Sequence, residues 1–401
     1  MEDIVARRFT GSFTQQEAIP SEAVEAAVSV LQSGRLHRYN LAGGETGEVA
    51  ALEAEYRDWQ GSRYCLTVTS GGQALQIALR ASGVKPGDAV LTNGFTLAPV
   101  PGAIAAAGAR AHLVEITDDL RLDLGDLEAS IARSGAKYLM LSHMRGHLCD
   151  MEQLMQICDA AGVTVIEDCA HTMGAAWNGK RSGNFGKVAC FSTQTYKHMN
   201  SGEGGLLTTD DAELAARATI LSGSYMLYER HGAGPEAAAY EEARYQMPNC
   251  SARMDALRAA ILRPQLAALD SNIERWNARY GVVNDILAAD AQITTITRSN
   301  AETFVGSSIQ FRLPGFSAGQ CRGLLEAAAR HGVELKWFGG REPVGFTSSH
   351  HSWQYMQGQS LPHTDQVMAT LFDMRLPLTF SEEECALVAE LICEAVSEVA
   401  R

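Results

Sequence analysis

The chain has 401 residues, 46% of them hydrophobic and 20% charged, which are ordinary globular values with room for about two to three domains. Its formal net charge of −14 argues against nucleic acid or an anionic membrane surface as a main partner, because either needs clustered Lys and Arg. No apolar run approaches the ~20 residues that span a bilayer, and the N-terminal MEDIVARRFTGSF lacks a signal-peptide core, so the sequence predicts a cytoplasmic protein that works on small molecules.

Ser21 to Gln32 places Val24, Ala27, Val28 and Leu31 on one face at helical spacing, and Gly34 ends that helix. Glu48 to Trp59 repeats the pattern through Val49, Leu52, Tyr56 and Trp59. Tyr64 to Thr69 then reads as a strand running into Ser70-Gly71-Gly72-Gln73 and the helical stretch Ala74 to Ala81. A strand, a small-residue turn and a helix start present free backbone N–H groups and a favourable dipole, which suits a phosphate; an ordinary βα turn using glycine for its geometry reads the same way.

Strands are predicted at Ala89 to Thr92, Ala111 to Ile116 and Lys137 to Ser142. Between and after them come helices at Phe95 to Ala107, interrupted near Pro99 and Pro101, at Asp123 to Ala132, and at Asp150 to Ala161. The β-branched run Val163 to Ile166 stops at Glu167-Asp168. In a parallel sheet the carboxyl ends of strands face the ligand, so Asp168 is expected to meet something cationic. A second run, Val188 to Phe191, ends in Ser192. Lys197 follows among hydroxyls and glycines, before Gly202-Glu203-Gly204-Gly205 and a strand at Leu206 to Thr209. A lysine there forms a Schiff base with a carbonyl if burial or a neighbouring cation lowers its pKa. The alternation predicts a mostly parallel sheet wrapped by helices.

Ser222 to Met254 resists assignment and reads as a loop over the site. Met254 to Tyr280 reads as one long helix kinked at Pro264. Strands at Ser308 to Leu313 and Val333 to Trp337 flank a helix with the capping box Ser317-x-x-Gln320, and Ser381-x-x-Glu384 opens the last helix. The predicted organisation is a large domain over 1–264 and a smaller α+β domain over 265–401.

The nine cysteines form no CxxC pair and predict reduced thiols rather than a disulfide frame or a zinc site. Gly174-Ala-Ala-Trp-Asn-Gly179-Lys180-Arg181 mimics a nucleotide-binding loop but carries Arg where Ser or Thr would meet magnesium, and Asn178-Gly179 reads better as a hairpin turn. Gly232-Ala-Gly234-Pro-Glu-Ala237 mimics a dinucleotide fingerprint without a preceding strand. His350, His351 and His363 read as surface histidines, and no metal is expected.

Together, SGGQAL after a strand, VIEDCAH, FSTQTYKHMNSGEGG, SARMDALRAAILRPQL and LPLT resemble the pyridoxal 5′-phosphate (PLP) sugar aminotransferases of the DegT/DnrJ/EryC1/StrS family, in order from about residue 20 to 395. The resemblance implies an α/β fold of the aspartate aminotransferase type (fold type I), with a large mostly parallel sheet domain and a smaller C-terminal α+β domain. It also implies that Lys197 holds PLP covalently and shuttles the proton, that Asp168 pairs with the pyridinium nitrogen, that His171 lies near the phenolic oxygen, and that Ala170 packs on the ring. Ser70, Gly71, Gly72 and Ser192 match the phosphate-binding positions. Three departures stand out. The family's SGTxAL is SGGQAL here, leaving Gln73 to compensate; Thr96 is followed by Leu97 rather than an aromatic ring; and Ser251 stands where an Asn reaches the phosphate from the partner subunit of a homodimer.

The expected reaction moves an amino group from glutamate or glutamine to a keto group of a nucleotide-linked sugar or related keto-polyol. Alternatives are a PLP-dependent sugar dehydratase, an aminotransferase acting on a non-sugar ketone, and a non-enzymatic regulator. Dehydrating relatives tend to replace the lysine with histidine, so Lys197 favours amino transfer.

Overall fold

The computed structural model describes residues 7–342, 344 and 348–401. Short β-branched and apolar runs form β1 (Tyr64–Val68), β2 (Ala89–Asn93), β3 (Arg110–Val114), β4 (Tyr138–Ser142) and β5 (Thr164–Asp168). A hairpin, β6 (Ala176–Trp177) and β7 (Lys180–Arg181), precedes β8 (Val188–Ser192) and β9 (Gly205–Thr209). Seven of these make one sheet in the order β1-β9-β8-β5-β4-β2-β3. The strands from β3 across to β8 pair in parallel, while β9 runs antiparallel to both β8 and β1. Parallel return needs a crossover of about a dozen residues, usually a helix; the chain between Ser192 and Gly205 carries no helix, so β9 comes straight back.

Because β1 and β8 both oppose β9, they share a direction. The carboxyl ends of β1, β8, β5 and β4 therefore lie along one edge, which gathers the Ser70 turn, Ser192, Asp168 and Ser142. Alternating side chains build a core on each face. Val165, Ala189, Leu139 and Leu141 pack with helices including Glu48–Gln60 and Ala256–Ala267, whereas Ile166, Val188, Cys190 and Met140 pack with Gly71–Ala81 and Ala212–Ser222.

A second sheet pairs β10 (Thr294–Thr295), β12 (Ser308–Arg312), β14 (Leu371–Arg375) and β13 (Lys336–Trp337) in that order, all antiparallel; β11 (Glu302–Thr303) instead joins β6. Ile309, Phe311, Phe372 and Met374 fill a core with the helices Leu269–Ala288, Ala318–Arg330 and Glu382–Val399. Phe9 and Phe13 join that core, each edge-on to Phe380. Ser308, Gln310, Asp373 and Arg375, two residues apart on their strands, occupy the other face, which turns toward the edge of the first sheet.

Four local expectations change. The stretch 254–280 is two helices, Ala256–Ala267 and Leu269–Ala288. Pro264 stays inside the first, and the break is a tightened last turn in which Ala268 N donates to Gln265 O at 3.2 Å. The helix foreseen from Phe95 begins only at Pro99, whose fixed φ suits a first helical position. Within the unassigned segment lies a helix, Tyr240–Gln246, seated by the buried Tyr240 and Ala243. Finally, the apolar face of Ser21–Ser33 points outward: Ala23 and Val30 are buried, but Val24, Val28 and Leu31 are 49%, 43% and 55% exposed.

Candidate active site

Ser70 caps the helix Gly71–Ala81, its Oγ accepting from Gln73 N at 3.1 Å. A Cβ on Gly71 would stand 2.8 Å from Ser192 Cβ, and one on Gly205 would stand 2.4 Å from Ser70 O, so glycine at both places lets the turn close against the ends of β8 and β9. Ser70, Gly71, Gly72 and Ser192 line one cavity of about 370 Å³ with Asp168, Ala170, His171 and Lys197. Gln73 does not line it; Glu203 does. Leu97 occupies the wall where an aromatic ring was missing, and Phe95 is turned away against Phe338. Ser251 lies outside its own chain's cavity, exposed, with a left-handed φ of 53° and its Oγ accepting from Arg253 at 2.8 Å.

The last two residues of β5 point to opposite faces. Glu167 is buried away from the cavity, accepting from the backbone N–H groups of Gly183, Phe185 and Gly186 at 2.8, 2.8 and 2.6 Å, with His143 Nε2 3.0 Å away. Asp168 faces the cavity. Its Oδ1 accepts from Ala170 N at 3.2 Å and its Oδ2 from Ser142 Oγ at 3.1 Å; Thr96 Oγ1 in turn donates to Ser142 Oγ at 2.8 Å. Asn93, ending β2, clamps the Ser142 backbone through both amide atoms at 3.0 Å. Burial pushes the Asp168 carboxyl up from the usual carboxylate range, against the Ala170 N–H and the Lys197 ammonium. The sequence reading missed Thr96, Ser142 and Asn93 as a support for this acid, although two of them end strands at the same sheet edge.

Lys197 Nζ stands 2.8 Å from His171 Nε2. Desolvation in the cavity, and then the Arg145 guanidinium, bring the lysine down to about 7, with Asp168 opposing. His171 is held well below the ordinary histidine value by desolvation and by the lysine itself, so the imidazole is neutral and its Nε2 accepts from the ammonium. Both residues also line an adjoining cavity of about 310 Å³ with Arg145, Tyr196, Lys336 and Arg375. Lys197 therefore sits where the two cavities meet. Arg145 is not singled out by the sequence; it has a left-handed φ of 56° and pairs with Asp373 at 2.9 Å.

The remaining motifs lie elsewhere. Asn178 and Gly179, at φ 47° and 78°, turn the hairpin between β6 and β7, as their sequence suggested. His350 is buried rather than on the surface, and with His351 it faces Asp365 Oδ1, at 2.8 and 3.0 Å. Among the described residues no helix is long and apolar enough to cross a membrane.

Comparison with known proteins points the same way. The family model described as the DegT/DnrJ/EryC1/StrS aminotransferase family matches residues 18–393. The chain is 30% identical over 310 residues to the 3-amino-5-hydroxybenzoate synthase of Amycolatopsis mediterranei, covering 76% of each protein. It is 34% identical over 267 residues to the dTDP-3-amino-3,4,6-trideoxy-alpha-D-glucose transaminase of Streptomyces venezuelae, covering 66% of this chain and 63% of that one. A crystal structure of 3-amino-5-hydroxybenzoic acid synthase superposes with a TM-score of 0.83 at 25% identity, over 97% of this chain and 100% of the other. The structure of S. venezuelae DesV gives 0.79 at 27% identity, over 94% of each.

Proposed function

The chain belongs to the DegT/DnrJ/EryC1/StrS aminotransferase family and is a PLP-dependent aminotransferase, and from that premise we propose that it moves an amino group from L-glutamate or L-glutamine to the keto group of a sugar or related keto-polyol. The observation that carries this reading is the convergence, in one cavity, of Lys197, Asp168 and the Ser70–Gly72 turn.

The residues present fit PLP. A helix start with its serine cap and the Ser192 hydroxyl offer donors to a phosphate, and Gly71 and Gly72 leave the backbone open to it. Asp168, buried at the far end of a strand, would meet a ring nitrogen, and Ala170 and Leu97 give the cavity apolar walls. When bound, PLP supplies an aldehyde that captures amines and a pyridinium ring that withdraws electrons from the carbon losing its proton.

The roles then divide among these residues. Ser70, Gly71, Gly72 and Ser192 would hold the phosphate. Asp168, kept in place by Ser142 and Ala170, would keep a proton on the ring nitrogen. His171 orients Lys197 and would serve the side of the ring that bears the phenolic oxygen. Lys197, titrating near neutrality, would act as a nucleophile toward the aldehyde and afterwards as the base and acid that moves a proton from and to the substrate carbon. The dehydratase reading lacks a specific observation in its favour, since Lys197 is in place.

The homodimer belongs to this proposal as well. Val24, Val28 and Leu31 form an outward apolar stripe that a second copy would cover, and Ser251 lies on the surface, available to a neighbouring cavity. We retain a division near residue 264, with Phe9 and Phe13 docked onto the smaller unit, and a cytoplasmic location. The test is stoichiometric: with PLP and L-glutamate, each site should release one 2-oxoglutarate without any acceptor. No release with glutamate, glutamine or alanine would contradict the proposal.

A further inference from the structure

Two groups of metal-ligating side chains occur among the described residues, both outside the cofactor cavity. His143, Glu167 and Cys169 are sealed in the interior, where Glu167 already accepts from three backbone N–H groups. His350, His351 and Asp365 differ, because they meet beside a cavity of their own.

The chain brings these three together across 15 positions. A single 3₁₀ turn, His350–Ser352, bunches two consecutive imidazoles, with their ring centres 3.9 Å apart. Both aim at one atom: Asp365 Oδ1, on the helix Pro362–Met368, lies 2.8 Å from His350 Nε2 and 3.0 Å from His351 Nε2. His350 is buried, which fixes its ring, while His351 and Asp365 reach the wall of a cavity of about 640 Å³. That cavity shares no lining residue with the two that meet at Lys197.

Two imidazoles donating to one carboxylate oxygen would account for the contacts alone. Three features favour an ion between them. Two imidazole nitrogens and a carboxylate are a zinc donor set that leaves one position open. At bonds of about 2.0–2.1 Å a tetrahedral ion needs its donors about 3.3 Å apart, a few tenths of an ångström beyond the spacing here. The neighbouring cavity admits the water that would complete the shell, and Glu115, which accepts from His363 N at 3.2 Å and Thr364 N at 2.7 Å, adds a second negative charge within reach of His350. Arg341 also lines the cavity and would face any anion taken by the open position.

We propose that His350, His351 and Asp365 bind a divalent ion of the zinc type, which fastens the segment they bracket against the edge of the large sheet. The edge is β3, and the bracketed segment covers it. Gln359 stands in for a neighbouring strand: Leu113 N donates to its Oε1 at 2.9 Å, and its Nε2 donates to Ala111 O at 3.0 Å. Trp353 and Leu361 pack with Leu113, and Ile116 N donates to Thr364 Oγ1 at 3.2 Å. An uncovered edge strand invites pairing with another chain. An ion that joins both ends of the cover binds the folded chain and not the unfolded one, and so stabilises it. Each imidazole then carries its remaining proton on Nδ1, Asp365 stays ionised, and no electron changes hands. The proposal is independent of the aminotransferase reading.

The test is zinc binding by the chelator-stripped, PLP-loaded protein, followed by isothermal titration calorimetry and by thermal unfolding. We expect one zinc per chain and an upward shift of the unfolding midpoint. His351→Ala removes an exposed ligand, and Asp365→Asn keeps an acceptor oxygen for both imidazoles. Each should weaken binding at least tenfold and lose the shift, while keeping the cofactor band and its bleaching by L-glutamate. Cys250→Ser, which removes an exposed thiol elsewhere, should bind as the wild type does. Absence of zinc binding at micromolar concentrations overturns the proposal. So does binding that His351→Ala and Asp365→Asn both retain, because the ion would then sit elsewhere. A wild-type band that L-glutamate fails to bleach would count against the aminotransferase reading and leave the ion site standing.

Discussion

Lys197 and His171 share one short contact, 2.8 Å from Nζ to Nε2, although 26 residues separate them in the chain. The imidazole is neutral, so its Nε2 accepts from the ammonium and, more weakly, from an N–H of the free amine. Losing that acceptor should misplace the amine without removing it. His171→Leu is expected to lower kcat by about 10- to 100-fold, the scale of a hydrogen bond to a charged group, while His171→Gln, which still accepts, should recover most of it. Steady-state rates on protein saturated with PLP check this.

Ser142 links Asp168 to Thr96, and its loss leaves a buried carboxylate oxygen and a buried hydroxyl without their partner. Ser142→Ala should weaken PLP binding by roughly 1 to 3 kcal/mol, with little change in thermal stability once the cofactor is bound. Fluorescence titration of the cofactor-free protein measures it. An unchanged PLP affinity would separate Ser142 from the function of Asp168.

Burial first, and then Arg145, holds the lysine's pKa down, so removal of Arg145 has a definite sign. Capture of added PLP needs the neutral amine, and in the wild-type protein the capture rate should rise with pH through about 7. Arg145→Met removes a positive charge and leaves Asp373 without its arginine nearby; both changes favour the ammonium and move the midpoint to higher pH. A midpoint that stays or falls contradicts this account of the lysine.

Away from the cavity, Arg38 and Glu53 form a fully buried pair at 2.9 Å, joined by His231 and by the Thr67 N–H and hydroxyl. Glu53 thus anchors β1 three residues before Ser70. Burial raises this carboxyl, and Arg38, His231 and the Thr67 N–H together bring it below its ordinary value. Removing one partner strands the other charge, and Glu53→Gln should cost about 3 to 5 kcal/mol in chemical denaturation.

The outward stripe on the first helix gives an assembly prediction. Val28→Asp combined with Leu31→Asp should convert a dimer to monomers in sedimentation velocity, with the helix intact because both side chains are exposed. A double variant that sediments like the wild type would place the partner elsewhere.

Much of this was legible before any coordinates. Ser70, Asp168, Ser192 and Lys197 each sit at or just beyond the end of an apolar run, and the edge rule for parallel sheets suffices to gather them. The supports were not legible. Thr96 reaches Ser142, and Arg145 reaches Asp373, through strand order and register between distant segments, and nothing local in the sequence encodes either. Arg375 was hidden for the same reason: LFDMR shows which residues share a face, but only the pairing with β12 and β13 shows that the face meets Lys197. The first helix misled because periodicity reports an apolar stripe without saying whether its own chain or another covers it.

The central claim is that Lys197 holds the cofactor and carries the proton between the substrate carbon and the cofactor. The most direct measurement is the visible spectrum of PLP-loaded wild-type protein and Lys197→Ala, after gel filtration, before and after L-glutamate. The account predicts a retained band in the wild type that glutamate bleaches, and in the variant neither a covalently retained cofactor nor turnover. A variant that keeps both would contradict it.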